Sequence, residues 1–229
     1  FEPYSPPADG EEDSPVVLNT VWTCDCIPDD YRERDGEPIE YSKWSATKTD
    51  GPSEIIATPV VQDGKIYVSI GQSPVHKKGQ GALSCVDVAT GEMIWQSRDV
   101  DRSTADACFF NELLIGPSVR NGSELLDRSR VGLVFQPDYT GFLHCLDAET
   151  GETYWSHDLE SGVWCSYAVV ANGNVYISTE RQLLSILKAS REKEVVAECR
   201  VRSEAITPLV ENGVMYFPTQ RRLFAIELE

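Results

Sequence analysis

A short hairpin occurs three times in this chain, and it restricts the possible folds more than any other feature. VVQDGKIYVSI (60–70), VVANGNVYISTE (169–180) and LVENGVMYFPTQ (209–220) share one pattern: two apolar residues, an Asp-Gly or Asn-Gly pair, then an apolar/polar alternation containing Tyr. Asn-Gly and Asp-Gly tolerate the positive φ that a two-residue type I′ turn requires at both central positions. The alternation after the first turn puts Ile66, Val68 and Ile70 on one strand face, and Tyr67 with Ser69 on the other. Gly173 and Gly213 are about 40 residues apart, the period of a propeller blade. No long stretch sustains a helical period, so the chain is predicted to be all-β.

A second unit lies between the hairpins. ALSCVDVATGEMIW (82–95) matches FLHCLDAETGETYW (142–155), with Asp87, Thr90, Gly91 and Trp95 corresponding to Asp147, Thr150, Gly151 and Trp155. The copies are about 60 residues apart, one blade period plus an insertion of about 20. The insertion falls in the polar stretch around Arg120–Arg130. An Asp that opens a Thr-Gly turn accepts backbone N–H bonds, the Thr hydroxyl reinforces the turn, and Gly supplies positive φ. Trp buries a large ring, and its N–H needs an acceptor on a neighbouring element. These residues therefore read as structural.

Hairpin, central strand and Trp-bearing strand make a four-stranded antiparallel blade. Blades are predicted near 53–98, 103–158, 162–201 and 203–229, the last without an outer strand. Residues 17–27 read as the outer strand of a preceding or closing blade, with Trp22 placed like Trp95 and Trp155. Residues 1–16 are rich in Pro, Asp and Glu and read as a disordered acidic arm ahead of the propeller segment 17–229. Four blades is at the small limit for a closed ring, so the expectation is part of a larger propeller. The chain opens on Phe1 with no signal-peptide pattern, as a mature or trimmed product would.

At these residues the chain resembles the pyrroloquinoline-quinone-type (PQQ-like) repeat family, whose tryptophan-docking motif is Ala-x-Asp-x-x-Thr-Gly-x-x-x-Trp. Both copies depart at the first position, which holds Cys85 and Cys145, so a small side chain is kept. The third blade has ILKASREKEVV (186–196), without the Thr-Gly or the Trp. The wording is similar to bacterial PQQ-binding-like proteins and to the propeller of the outer-membrane assembly lipoprotein. The resemblance implies a β-propeller in which each Trp packs on the next blade, and a periplasmic or otherwise extracytoplasmic location. It also raises a cofactor, PQQ with Ca²⁺. Quinone dehydrogenases of this architecture use about eight blades and a Ca²⁺ held by Glu, Asn and Asp, and Ca²⁺ takes six to eight oxygen ligands. No such cluster can be assigned in the sequence, so no cofactor is expected.

Charge narrows the partners. Against 37 Asp+Glu stand 20 Lys+Arg, a formal charge of -17. Such a surface repels phosphate backbones and anionic headgroups, so neither nucleic acid nor direct membrane insertion is expected. No run of about 18 apolar residues occurs. The seven cysteines are Cys24, Cys26, Cys85, Cys108, Cys145, Cys165 and Cys199, an odd number. Cys24 and Cys26 share a face if residues 24–26 are a strand. Two thiolates could begin a soft-metal site, though a closed zinc site needs four ligands; strand packing or a local disulfide is the plainer alternative. No Ser/His/Asp or Cys/His pattern points to a nucleophile, and no catalytic residue is assigned. Arg102, Trp164 and Tyr167 lie just before inner strands and are candidates for a channel mouth. The insertion at about 116–130 is the candidate contact element.

The expected function is a non-catalytic binding or scaffold module that meets a protein partner or the missing blades of a larger complex. A fragment of a PQQ-dependent dehydrogenase and the sensor domain of a signalling protein are the alternatives.

Overall fold

The computed structural model describes residues 19–39, 53–71, 80–105, 107–113, 130–163, 166–201 and 207–228. In chain order the strands are β1 (Glu33–Arg34), β2 (Glu37–Pro38), β3 (Glu54–Ile55), β4 (Val60–Gln62), β5 (Lys65–Gly71), β6 (Ala82–Asp87), β7 (Met93–Ser97), β8 (Cys108–Leu113), β9 (Arg130–Pro137), β10 (Phe142–Asp147), β11 (Thr153–Asp158), β12 (Val169–Ala171), β13 (Asn174–Ser178), β14 (Leu183–Lys188), β15 (Val195–Arg200), β16 (Leu209–Glu211), β17 (Val214–Pro218) and β18 (Leu223–Glu227). One 3-10 turn spans Asp29–Tyr31. No helix among the described residues is long and apolar enough to cross a membrane.

The strands form successive antiparallel sheets. Blade 1 is β4-β5-β6-β7, with β3 also pairing β5; blade 2 is β8-β9-β10-β11; blade 3 is β12-β13-β14-β15; blade 4 is β16-β17-β18. The three repeated hairpins turn as their sequences require. Asp63-Gly64, Asn172-Gly173 and Asn212-Gly213 all have positive φ, at 48° and 76°, 49° and 70°, and 50° and 75°. In blade 2 the corresponding strands β8 and β9 flank the insertion, and residues 114–129 lie outside the described ones.

The sheets of blades 1 to 3 are covered on both faces, so strand alternation separates one blade interface from the next. Tyr67, Leu83 and Cys85 of blade 1 cluster with Val134, Leu146 and Ala148 of blade 2. Leu133, Phe135, Leu143 and Trp155 of blade 2 cluster with Val175, Ile177 and Leu187 of blade 3. Tyr176 and Leu184 of blade 3 meet Met215 and Phe217 of blade 4. The other face of blade 1 (Val68, Ile70, Ala82, Val86) is covered by Cys26 and Tyr31, with Trp22 and Cys24 at the edge. Fully buried side chains such as Phe135 and Leu143 each stabilise the packing by roughly 1.5–3 kcal/mol.

The segment expected as an isolated outer strand departs from that reading in one respect. Residues 19–27 carry no strand ladder, although Trp22 is placed as expected. Val16, Val17 and Leu18 lie outside the described residues.

Candidate functional site

The two Asp-x-x-Thr-Gly turns are built alike. Asp87 Oδ1 accepts the Ala89 and Thr90 amides at 2.9 and 2.8 Å and the Thr90 hydroxyl at 3.1 Å. Asp147 Oδ1 accepts the Glu149 and Thr150 amides at 2.8 and 3.0 Å, and its Oδ2 accepts the Tyr154 hydroxyl at 2.6 Å. The turns close with Asp87 N–H on Glu92 O and Asp147 N–H on Glu152 O. Partial burial alone would raise the Asp147 carboxyl, but the Tyr154, Glu149 and Thr150 donors together hold it below the usual carboxylate range. The Thr90 donors do the same for Asp87. Both carboxylates are thus engaged within their turns.

The turns receive tryptophans. Trp95 Nε1 donates to Ala148 O at 3.2 Å, and Trp22 Nε1 donates to Val88 O at 3.0 Å. The rings lie so close to the turn glycines that a Cβ on Gly91 would sit 2.6 Å from the Trp22 ring, and one on Gly151 would sit 2.5 Å from the Trp95 ring. Both glycines also have φ of +74°, so no other residue suits either position. Trp155 reaches the third blade, where its Nε1 donates to Ser190 O at 2.9 Å. That turn closes from Lys188 N–H to Glu194 O, one residue longer than the other two. Each docked Trp of blades 1 and 2 follows a bulge in its sheet. Cys85 faces Trp95 while Val86 faces Met93, and Cys145 faces Trp155 while Leu146 faces Thr153. The extra residue re-aims the following side chain.

The remaining sequence candidates are dispersed. Cys24 is partly exposed and Cys26 buried, both as free thiols. Arg102 stacks on the Tyr139 ring at 4.5 Å. Tyr167 is 42% exposed ahead of β12, and its N–H donates to Thr207 Oγ1 at 2.8 Å. Trp164 and residues 116–129 of the insertion expected at about 116–130 lie outside the described residues. Arg102 borders, through Tyr139, a groove of about 490 Å³ at the rim of blades 2 and 3; Tyr167 does not line it. Its lining includes Tyr139, Phe142, Asp158, Glu160, Glu180 and Arg181. Among the described residues, no three His, Cys, Asp or Glu side chains are grouped to hold a metal.

Sequence reasoning missed a buried polar chain in blade 2. His144 Nε2 lies 2.8 Å from Asp138 Oδ2, and its Nδ1 lies 2.8 Å from Ser156 Oγ. Beside it Gln136 donates to Ser103 Oγ, Ala105 O and Pro137 O. Burial opposes ionisation of Asp138, but the His144 bond and the Phe142 amide outweigh it and hold the carboxyl below its ordinary range. The signal that could have found the chain is an acid six residues before His144, across the Asp-x-Thr-Gly turn that joins β9 to β10.

Sheets stacked through alternate faces and clasped by indoles define a β-propeller of PQQ-like repeats. The family model described as outer membrane protein assembly factor BamB matches residues 79–185 and 139–228, together more than half of the chain, and the chain belongs to that family. No curated protein matches it in sequence. Among solved structures it is similar to BamB from Moraxella catarrhalis, at 15% identity and a TM-score of 0.52, covering 77% of this chain and 45% of that one. It is also similar to the computationally designed Ika4 protein, at 9% identity and a TM-score of 0.54, covering 82% of this chain and 100% of that one. For the designed Ika8 protein the values are 8% and 0.52, with 75% and 45% covered. The chain thus spans less than half the length of the BamB structure it matches.

Proposed function

We propose that this chain is a non-catalytic propeller scaffold that offers the rim of blades 2 and 3 to a protein partner, outside the cytoplasm and as part of a larger propeller. The observation that carries the reading is where the motif's polar groups are used. Asp87 and Asp147 are engaged by amides and hydroxyls of their own turns, and the indoles of Trp95 and Trp155 are engaged by the next blade. What the rim leaves to solvent is an aromatic and charged groove with Phe142 38% exposed, on sheets whose packing fixes its shape. Rigid elements carrying an exposed aromatic site suit protein recognition. The family's description as an assembly factor agrees with a role inside a complex. The coverage of 45% of BamB supports further blades supplied from outside these residues.

The test is a photo-crosslinker placed at Phe142, at Arg181 and, as a control, at the exposed hairpin residue Val61. The expected result is one stoichiometric protein captured from a rim position and not from Val61. No rim-specific capture, or dye reduction by the chain with added quinone, Ca²⁺ and an alcohol or sugar, would overturn the reading.

A further inference from the structure

We propose that this chain completes its propeller with a second copy of itself, blade 4 of each copy packing on blade 1 of the other. Like the proposed function, this requires a propeller larger than the four blades described. Blade 4 has an open outgoing face. Tyr216 holds the hairpin position of Tyr67 and Tyr176. Tyr67 is 3% exposed and Tyr176 2%, each buried at the junction with the blade that follows, and Tyr67 Oη donates to Ala148 O at 3.1 Å. Tyr216 is 36% exposed. Leu209 pairs with Tyr216 and Leu223 with Pro218, so these residues share one face, and both leucines are exposed.

Blade 1 has the matching incoming face. Val61 holds the position of Val170 and Val210, which pack into the blade 2–3 and blade 3–4 clusters, yet Val61 is 63% exposed. Ile66 corresponds to Val175 and Met215, both buried against the preceding blade, yet it is only partly buried. One face lacks the blade that follows it and the other lacks the blade that precedes it. Together they are the two halves of one blade junction, continuous with the three junctions already made. Among the described residues no strand of blade 4 pairs with a strand of blade 1.

The edges match as well. Blade 4 has three strands among the described residues, and β18 pairs only with β17. Ala225 lies opposite Tyr216 as Cys85 lies opposite Tyr67. A Trp-bearing strand beside β18 therefore sets its indole opposite Ala225, as Trp95 is set opposite Cys85. Residues 19–27 are such a segment, without a ladder of their own. Trp22 is seated on Gly91 and Val88 O of blade 1, just as Trp95 is seated on Gly151 and Ala148 O of blade 2. Laid along β18 of a second copy, the segment supplies that copy's fourth strand and clasps it to blade 1.

An identical chain fits both faces at once. A two-fold axis makes the two junctions equal and leaves neither face open, whereas a partner that matches only one face leaves the other in water. The size agrees, because this chain covers 45% of the BamB structure and a second copy supplies a second such share. Charge opposes the union, since each copy carries -17. Association driven by apolar faces should therefore tighten as salt screens that repulsion.

The test is the mass of the full chain by light scattering across a dilution series, with circular dichroism to show that each variant folds. A species of about 51 kDa, twice 25.5 kDa, is expected, and added salt should strengthen it. Tyr216→Glu and Val61→Glu should each weaken it by about 30-fold or more, as loss of a central interface contact does. Mixed together, these two variants should associate more tightly than either alone, because one junction of the ring then has both native faces. Tyr216→Glu mixed with Leu209→Glu, two changes on one face, should show no such gain. A monomer at every concentration, a dimer indifferent to both substitutions, no gain on mixing the two faces, or a monomeric native product that carries further blades in the same polypeptide would each overturn the proposal. The rim reading fails or stands separately: a crosslinker at Val61 should yield only the chain's own dimer, whereas one at Phe142 or Arg181 should capture a different protein.

Discussion

The junction between blades 1 and 2 and the junction between blades 3 and 4 both join antiparallel blades of one repeat, yet only the first is clasped. At the first, Trp95 sits on Gly151 and donates to Ala148 O, and the residues around it are buried. At the second, the register puts Ala197 opposite Ile186, where blades 1 and 2 have Trp opposite Cys. Every residue of β15 and β18 is exposed, including Val195, Val196, Leu223 and Phe224. The interface there rests on Tyr176, Leu184, Met215 and Phe217. The hairpin alone is enough to make a blade; the indole and its glycine turn fix that blade to the next. The junction between blades 2 and 3 is intermediate, because Trp155 is present but its receiving turn is longer and has no Thr-Gly.

The largest test of this comparison is to remove a clasp. Trp155 is 8% exposed and belongs to the main cluster. Trp155→Ala should cost about 3–5 kcal/mol in chemical denaturation, as large aromatic truncations do, whereas truncating the exposed Val196 should cost under about 0.5 kcal/mol. Next comes a matched pair of glycines. Gly151→Ala and Gly213→Ala both place a Cβ at positive φ, +74° and +75°, which costs roughly 1–2 kcal/mol. Only the first also drives that Cβ into the Trp95 ring; nothing lies within 4 Å at Gly213. Gly151→Ala should therefore lose about 2 kcal/mol more, in the range of an overpacked core. Equal losses would mean that the indole is not seated on the turn.

Acid should also loosen the clasped turns selectively. Asp87 and Asp147 have folded carboxyls held low by turn donors. Their contribution is complete above the unfolded Asp value near 3.9 and fades as pH falls through the lower folded values. Blade 3 has Lys188 at this register, opposite Asn174 as Asp87 is opposite Lys65, and lacks this dependence. Amide exchange measured from pH 5 down to pH 2.5 should rise at Thr90 and Thr150 before it rises at Arg191. Asp147→Asn should cost about 1–2 kcal/mol at pH 7, with the difference from the parent shrinking below pH 3.

Much of the fold was legible because its signals are local. Asp63-Gly64 and Asn172-Gly173 state their turn in two adjacent residues, and Asp147 to Trp155 lie within one turn and one strand. What was hidden is carried by pairs that only folding brings together. Arg98 holds Asp30 through two bonds of 2.8 and 2.9 Å across 68 residues, and Tyr31 donates to Gly81 O across 50. Neither pair has a spacing that sequence could mark. The groove has the same origin, because Tyr139, Ser161 and Arg181 belong to three connections in two blades. Trp155 could be read as a docking residue, but its seat could not, since ILKASREKEVV has lost the Thr-Gly that identifies a receiver.

The smallest expected effect separates the Asp from the turn it opens. Lys188→Asp restores the carboxylate at the register of Asp87 and Asp147 but leaves a loop that closes one residue later. In the two motif turns the carboxylate accepts the amides two and three residues on, and the Gly that follows supplies the positive φ. Blade 3 has Ser190 and Arg191 at the corresponding steps and Glu192 in place of the Gly, and Ser190 Oγ instead donates to Glu192 O at 2.6 Å. A carboxylate there finds no prepared donors, so the single change should alter stability by less than about 0.5 kcal/mol. Replacing residues 188–194 by the blade 2 sequence DAETGE should add about 1–2 kcal/mol, from the turn hydrogen bonds and the restored glycine seat for Trp155. It should also move the Trp155 acceptor from Ser190 to the preceding carbonyl, a shift that a crystal structure or the indole N–H resonance would read. If Lys188→Asp alone stabilises by as much as the graft, the carboxylate is the clasp's essential part and the glycine turn is incidental.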